Sequence, residues 1–571
     1  MEDLTSTIVG PLVAVEAWRA ISSAWVRVLR TLVSIGAGLA LLLVFGSVWL
    51  RIERPGAASP LPTLETGLAI LLMVMTTVSW LLPPALLAGA FSGERARFGL
   101  LLLLICQISS REIVLGRLLG RLAGCTAFCL PAMPVVAFLA ALCDLDFVDI
   151  TLMLVLPLAV GFGAAGLCCA LSVLSRKGRD ALLAVYLFDA FVVLAPVLAG
   201  AYGTIMEQWL WVLNPYGAIG LLAMGGGRLN ALLTIALWLL IGMVGVCLAV
   251  WRLRPSATHA MASEHSRKLG WRRKRIPRVI NRPMLWKEIH IEQIGTVSRI
   301  ARWLGIVLVA AYLVGHFWLG SNLILGRLSR PVVDMAWPGK MQTYAAFARV
   351  ANPLMACLLE LAIGVRAAST IAGERERRTW DLILASPLEG KAILFAKLVG
   401  SLYAVRFLFL AFVIGGIMPI AAGLIDSPFG IPAIDAAGSI LSAATVCSFM
   451  VTFGIALSLA SDSTGEAIAW TVVAWLIAQV VATISGTIAG VGTVLAFGSS
   501  ALATPAPWTQ MVFSVVSNAV YAGIFLVLAF LEWWRCRRRF EMLSGRIFCE
   551  CGSAPIHPSR DHPKTRLFDG A

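Results

Sequence analysis

Twelve stretches of this chain are each apolar and long enough to cross a bilayer, and this limits the possible folds more than any other feature. They lie near Thr31–Leu50, Gly67–Phe91, Leu118–Leu142, Ile150–Leu174, Ala181–Thr204 and Ala231–Trp251, then near Trp303–Leu325, Tyr344–Ile371, Leu398–Ala422, Ala437–Ala460, Ala467–Ala489 and Met511–Trp533. Backbone inside hydrocarbon must satisfy its own N–H and C=O groups, which leaves helices or a closed barrel. Runs of about 20 apolar residues match helices across roughly 30 Å of hydrocarbon. Composition agrees: 59% of residues are apolar and 13% charged, too little polar surface to coat a soluble globule. The expected fold class is an all-α polytopic membrane protein.

A shift of 280 positions lays the chain on itself without a gap. Gly93, Glu94, Arg95 and Arg97 fall on Gly373, Glu374, Arg375 and Arg377, and Leu102, Ile113, Leu118, Gly120 and Leu122 fall on Leu382, Ile393, Leu398, Gly400 and Leu402. Arg111 and Arg117 fall on Lys391 and Lys397. The expectation is a duplication: a six-span repeat over 1–251, a basic linker over 252–282, a second six-span repeat over 283–533 and a polar tail over 534–571. An even number of spans per half makes the repeats parallel, related by an axis along the membrane normal, with the seam between them as the expected pathway.

Basic residues orient the chain. With both termini in the cytoplasm, 38 of the 46 Lys and Arg lie in or beside cytoplasmic segments, and the linker alone holds ten against the single acid Glu264. The positive-inside rule therefore predicts cytoplasmic termini and a cytoplasmic linker. The net charge of +15 follows from this topology and from attraction to anionic membrane lipid. Basic residues dispersed along membrane flanks, with no recognition module, give no support to nucleic-acid binding.

The first thirty residues read as an amphipathic surface helix, with Trp18, Ile21, Trp25, Val28, Leu29 and Leu32 on one side and Arg19, Ser23, Arg27 and Arg30 largely on the other. No cleavable signal peptide is evident. Most of the 12 Cys lie in apolar runs, as small core residues do. Cys549 and Cys551, with His557 nearby, fall short of a zinc ligand set, and no His pair has metal-binding helical spacing, so no metal or catalytic site is expected.

The segment from Ile371 to Leu402 carries Ala-Gly-Glu-Arg-Glu-Arg at Ala372–Arg377, Thr379-Trp380-Asp381-Leu382, Ser386-Pro387-Leu388 and Lys397-Leu398-Val399-Gly400. It resembles the signature of type-2 ABC-transporter permeases. Asn281-Arg282-Pro283-Met284-Leu285-Trp286-Lys287-Glu288 resembles the family's elbow helix, Gly10–Glu16 is a weaker copy eight residues out of register, and Leu213-Asn214-Pro215-Tyr216 is similar to the Asn-Pro of its external hairpin. The fused twelve-span form is similar to multi-copper-enzyme-maturation-type permeases. The resemblance implies the permease of an ATP-driven exporter in a bacterial cytoplasmic membrane. ATP would be bound by partner ABC ATPase subunits, two copies or a heterodimer, docking on cytoplasmic coupling segments. No phosphate-binding loop is found in this chain, in keeping with that division of labour. The coupling residues expected are Gly93, Glu94, Arg95 and Arg97 in the first half and Gly373, Glu374, Arg375, Arg377, Arg378 and Trp380 in the second, with Trp380, Leu382 and Ile383 as an apolar anchor for the ATPase cleft. Phe98-Gly99 and Gln107-Ile108 stand where the second half has Arg378-Thr379 and Pro387-Leu388, so the first segment is expected to dock more weakly or on a different ATPase.

The eighth run contains Arg349, Glu360 and Arg366. At 1.5 Å per residue Glu360 lies about 20 Å from the Gly373 turn, too deep to reach water. An intramembrane carboxylate marks a pathway or a helix-packing partner. Glu360 and Asp189 are the pathway candidates, and an ion- or proton-coupled secondary transporter using them as relay groups is the rival reading.

Overall fold

The computed structural model describes residues 11–22, parts of 26–45, and residues 61–96, 108–175, 177–201, 207–266, 282–292, 299–329, 337–426, 431–479 and 507–543. Arg97, residues 267–281 of the basic linker and the tail with Cys549, Cys551, His557 and His562 lie outside the described residues, as does part of the first apolar run.

The described chain is helical throughout. In order it forms α1 (Pro11–Ile21), α2 (Leu61–Ala96), α3 (Ser110–Cys129), α4 (Met133–Leu142), α5 (Phe147–Leu174), α6 (Gly178–Ala201), α7 (Glu207–Leu213), α8 (Pro215–Ala223) and α9 (Arg228–Ser266). After the linker come α10 (Pro283–Trp286), running into a π turn at Lys287–Ile291, then α11 (Arg299–Ser329), α12 (Trp337–Glu376), α13 (Trp380–Leu384), α14 (Gly390–Ala404), α15 (Arg406–Asp426) and α16 (Ile431–Ala460). Residues 464–479 form α17, and α18 is Pro507–Leu543. Among the described residues eight helices are long and apolar enough to cross a membrane, or nine if α14 and α15 make one span bent by 53°. The chain is thus an all-α, multi-pass membrane protein.

Local chemistry explains the boundaries. Ser109 caps α3 in a reciprocal capping box with Glu112, each side chain taking the other's backbone N–H. Asn214 caps α8, accepting from the Tyr216 N–H at 3.1 Å, with Pro215 in the first turn, so the Asn-Pro pair breaks α7 from α8 in a hairpin between α6 and α9. The run expected as one span over Leu118–Leu142 is instead α3 and α4, parted at Leu130–Ala132. Pro131 lacks the N–H a continuous helix needs.

Contacts recur between the halves. A Cβ on Gly120 would lie 2.5 Å from the Glu16 Cβ, and one on Gly400 would lie 2.5 Å from the Glu288 Cβ, so each elbow packs against a position that only glycine fits. Arg117 donates to the Ala90 carbonyl, and 280 positions on Lys397 donates to that of Thr370.

The halves meet where α6 packs against α11 and α12 and where α2 meets the start of α17. One such approach is between glycines: a Cβ on Gly89 of α2 would stand 3.2 Å from the Gly465 Cα. Backbones can draw this near only where side chains are absent, the usual way helices associate in lipid.

Candidate coupling site

At the end of α12 the backbone reverses in a Schellman turn. Arg378 N–H bonds the Arg375 carbonyl and Thr379 N–H reaches back to that of Glu374, while Arg378 itself sits at φ 56°. Glycine normally holds this left-handed position, because a Cβ there costs energy. The turn delivers the chain directly into α13.

The structure sorts the predicted residues into two faces. Trp380 and Ile383 are buried in the protein's own core, where Trp380 stands edge-on to Phe540 of α18 and Met284 of the elbow joins the same cluster. The apolar anchor is therefore spent inside this chain, not left for a partner's cleft. Glu374 is buried too, accepting from Lys287 Nζ at 2.6 Å, from Lys397 Nζ at 3.5 Å and from the Thr379 hydroxyl. Arg375 is half-buried, donating to the Ser461 carbonyl at 3.2 Å with its guanidinium 5.8 Å from the Trp380 ring centre. Gly373 is partly covered. Outward stand Arg377, Arg378, Asp381 and Leu382, the last with 72% of its surface exposed. Leu382 belongs with this outer face; the amphipathic pattern alone had grouped it with Trp380.

Beneath α13 lies a lattice of buried charge. Glu288 is 2% exposed and accepts from Lys397 Nζ at 2.6 Å and from Arg366 at 3.2 Å. One turn along the elbow, Glu292 meets Lys177 at 2.9 Å, Arg179 at 3.6 Å and Arg377 at 3.1 Å. Lys177 comes from the α5–α6 connection and Arg179 from the first turn of α6, both in the first half, and the other charges come from the second. Burial alone would raise the Glu292 carboxyl, but the three cations around it hold it well below the usual carboxylate range. Burial and the neighbouring Arg179 lower Lys177. Glu376 adds another tie, accepting from the Thr464 N–H at 2.9 Å at the start of α17.

Sequence reasoning had quoted Glu288 and Lys397 only as pieces of motifs, and had missed Glu292, Lys177 and Arg179. A usable signal existed: two acids four residues apart on the elbow, one helical turn, in a membrane flank otherwise dominated by cations.

The two pathway candidates differ in setting. Glu360 is 5% exposed and accepts from the Trp475 indole at 2.7 Å and from Gln479 at 3.0 Å, which joins α12 to α17 inside the second half. Asp189 of α6 is equally buried, and the group facing its carboxyl is the Trp80 indole N–H of α2. Arg366 does not snorkel to the surface as its place near the end of the run predicts; it stays 2% exposed, held by Glu288. In the first half, Gly93, Glu94 and Arg95 lie in the last turns of α2, but their side chains are outside the described set, as is all of Arg97. Among the described residues no group of acids, His and Cys is placed to hold a metal ion.

Residues 303–497 match the family model described as ABC-2 family transporter protein. No curated protein and no solved structure matches the chain.

Proposed function

We propose that this chain, whose residues 303–497 match the model of the ABC-2 family of transporter proteins, is an exporter driven by separate ATPase subunits. That match supports reading it as the membrane-spanning permease of an ABC transporter, a transport subunit whose chemistry is done by its partners. The finer reading assigns docking to the outer face of α13 and its flanking turn. The observation that carries it is the division of that segment: Trp380, Ile383 and Glu374 root it in the bundle, while Arg377, Arg378, Asp381 and Leu382 face outward together.

An apolar side chain ringed by charges suits a protein contact, since the apolar group excludes water and the charges set orientation. A push on such a rigid element would move α12, α14 and α18 as one body. The Glu292 lattice would carry the same push to α6 of the first half, because Arg377 shares that carboxylate with Lys177 and Arg179. The positive-inside balance supports placing this face in the cytoplasm.

The energy source decides between this reading and a secondary transporter using Glu360 and Asp189. The test reconstitutes the chain in sealed vesicles with and without the ABC ATPase that co-purifies with it. Transport that requires the ATPase and ATP supports the proposal, whereas transport by the chain alone on a proton or sodium gradient refutes it.

A further inference from the structure

A cavity of about 500 Å³ opens beside the coupling segment, between the elbow, the start of α14 and the last turns of α18. Its lining is largely apolar, from Met284, Leu394, Phe395 and Trp533, and carries Arg282, Lys391 and Arg537 against Glu389, with Arg537 also paired to Glu541 at 3.3 Å. The volume is that of a small-molecule site. The residues around it have the pattern of a membrane boundary: the apolar run of α18 passes at Trp533 and Trp534 into Arg535, Arg537, Arg538 and Arg539, and the Arg538 guanidinium lies 3.6 Å from the centre of the Trp534 ring. A largely apolar pocket at a membrane boundary with cations in its lining has the chemistry of one amphiphile, an apolar chain joined to a negative charge.

We infer that this cavity binds an anionic phospholipid from the leaflet on the coupling side, its acyl portion on Phe395 and Trp533 and its phosphate among Arg282, Lys391 and Arg537. Charge complementarity selects the occupant. A zwitterionic lipid brings its own cation to a lining already carrying three, and free phosphate has no use for the apolar part. The lipid would touch the elbow, the loop after α13 and α18 together, and so brace the parts of the second half that hold the coupling segment.

The full chain, purified and stripped of lipid, is titrated with phosphatidylglycerol or phosphatidylcholine in detergent, and retained lipid is counted by native mass spectrometry. The expected result is one tightly held phosphatidylglycerol per chain over weaker general lipid, with affinity falling roughly fivefold for each of Arg282→Gln, Lys391→Gln and Arg537→Gln. Ala392→Trp, which fills the cavity without changing its charge, is expected to abolish that one site and leave the thermal unfolding of the lipid-free protein unchanged. Excess inorganic phosphate is expected not to displace the lipid. Equal retention of the two lipids, tight binding that survives Ala392→Trp, displacement by phosphate alone, or a cavity closed to lipid by another part of the chain would each overturn the inference.

Discussion

The indole of Trp380 stands edge-on to the ring of Phe540, 5.8 Å between centroids at 85°, and so fastens the coupling segment to the last span. This contact fixes how the segment can be used, because a side chain buried at home is not available to a partner. It also separates variants that damage the fold from variants that damage docking.

Trp380→Ala is expected to destabilise the protein by about 3–5 kcal/mol, the range for emptying a buried aromatic site. Leu382→Ala, only two residues on but exposed, is expected to stay within about 0.5 kcal/mol of the parent. Thermal unfolding in detergent reads both.

Arg378 occupies a left-handed turn position without being glycine. Arg378→Gly relieves the Cβ clash and is expected to leave stability unchanged or raise it by roughly 0.5–1 kcal/mol. The same variant is expected to weaken ATPase capture, since the outward guanidinium is gone. Higher stability together with weaker capture would mark Arg378 as retained for contact and not for the turn.

Lys397 is 1% exposed between Glu288 and Glu374. Lys397→Met would leave Glu288 to Arg366 and Glu374 to Lys287, and is expected to cost less than the about 3–5 kcal/mol of breaking an isolated buried pair. Lys397→Arg is expected to recover much of that loss, because the first half carries Arg117 at the matching place, donating to the matching carbonyl. Unfolding midpoints of the two variants test the ranking.

Glu292 sets a pH window. Its carboxyl is held below the ordinary value of 4.5, so its stabilising contribution is fully present above that value and is lost as pH falls toward its folded pKa. The stability difference between the parent and Glu292→Gln is therefore expected to stay constant from pH 8 down to about pH 5 and to shrink on further acidification. A difference that changed between pH 6 and 8 would point to another titrating group.

The fold class was legible because hydrocarbon leaves a chain few choices, and the glycines at Gly120 and Gly400, 280 positions apart, have a physical reason in the close approach of Glu16 to the first and of Glu288 to the second. Sidedness within the coupling segment was harder to read. Trp380 and Leu382 are both apolar, and only the path of α18 decides which is covered. The break between α3 and α4 was readable in principle at Pro131, but hydropathy runs smoothly across it. The Glu292 lattice was out of reach because it joins residues 115 positions apart, Lys177 and Glu292, whose meeting depends on how the two halves pack.

The account stands on the outer face of α13 being where an ATPase engages. The most direct measurement is capture of the co-purifying ABC ATPase by the full chain bearing Arg378→Glu, Asp381→Lys and Leu382→Asp together, with unfolding checked to show that the bundle is intact. The account predicts an intact bundle that loses most of the ATPase and its ATP-dependent transport. Undiminished capture and transport by that variant would contradict it.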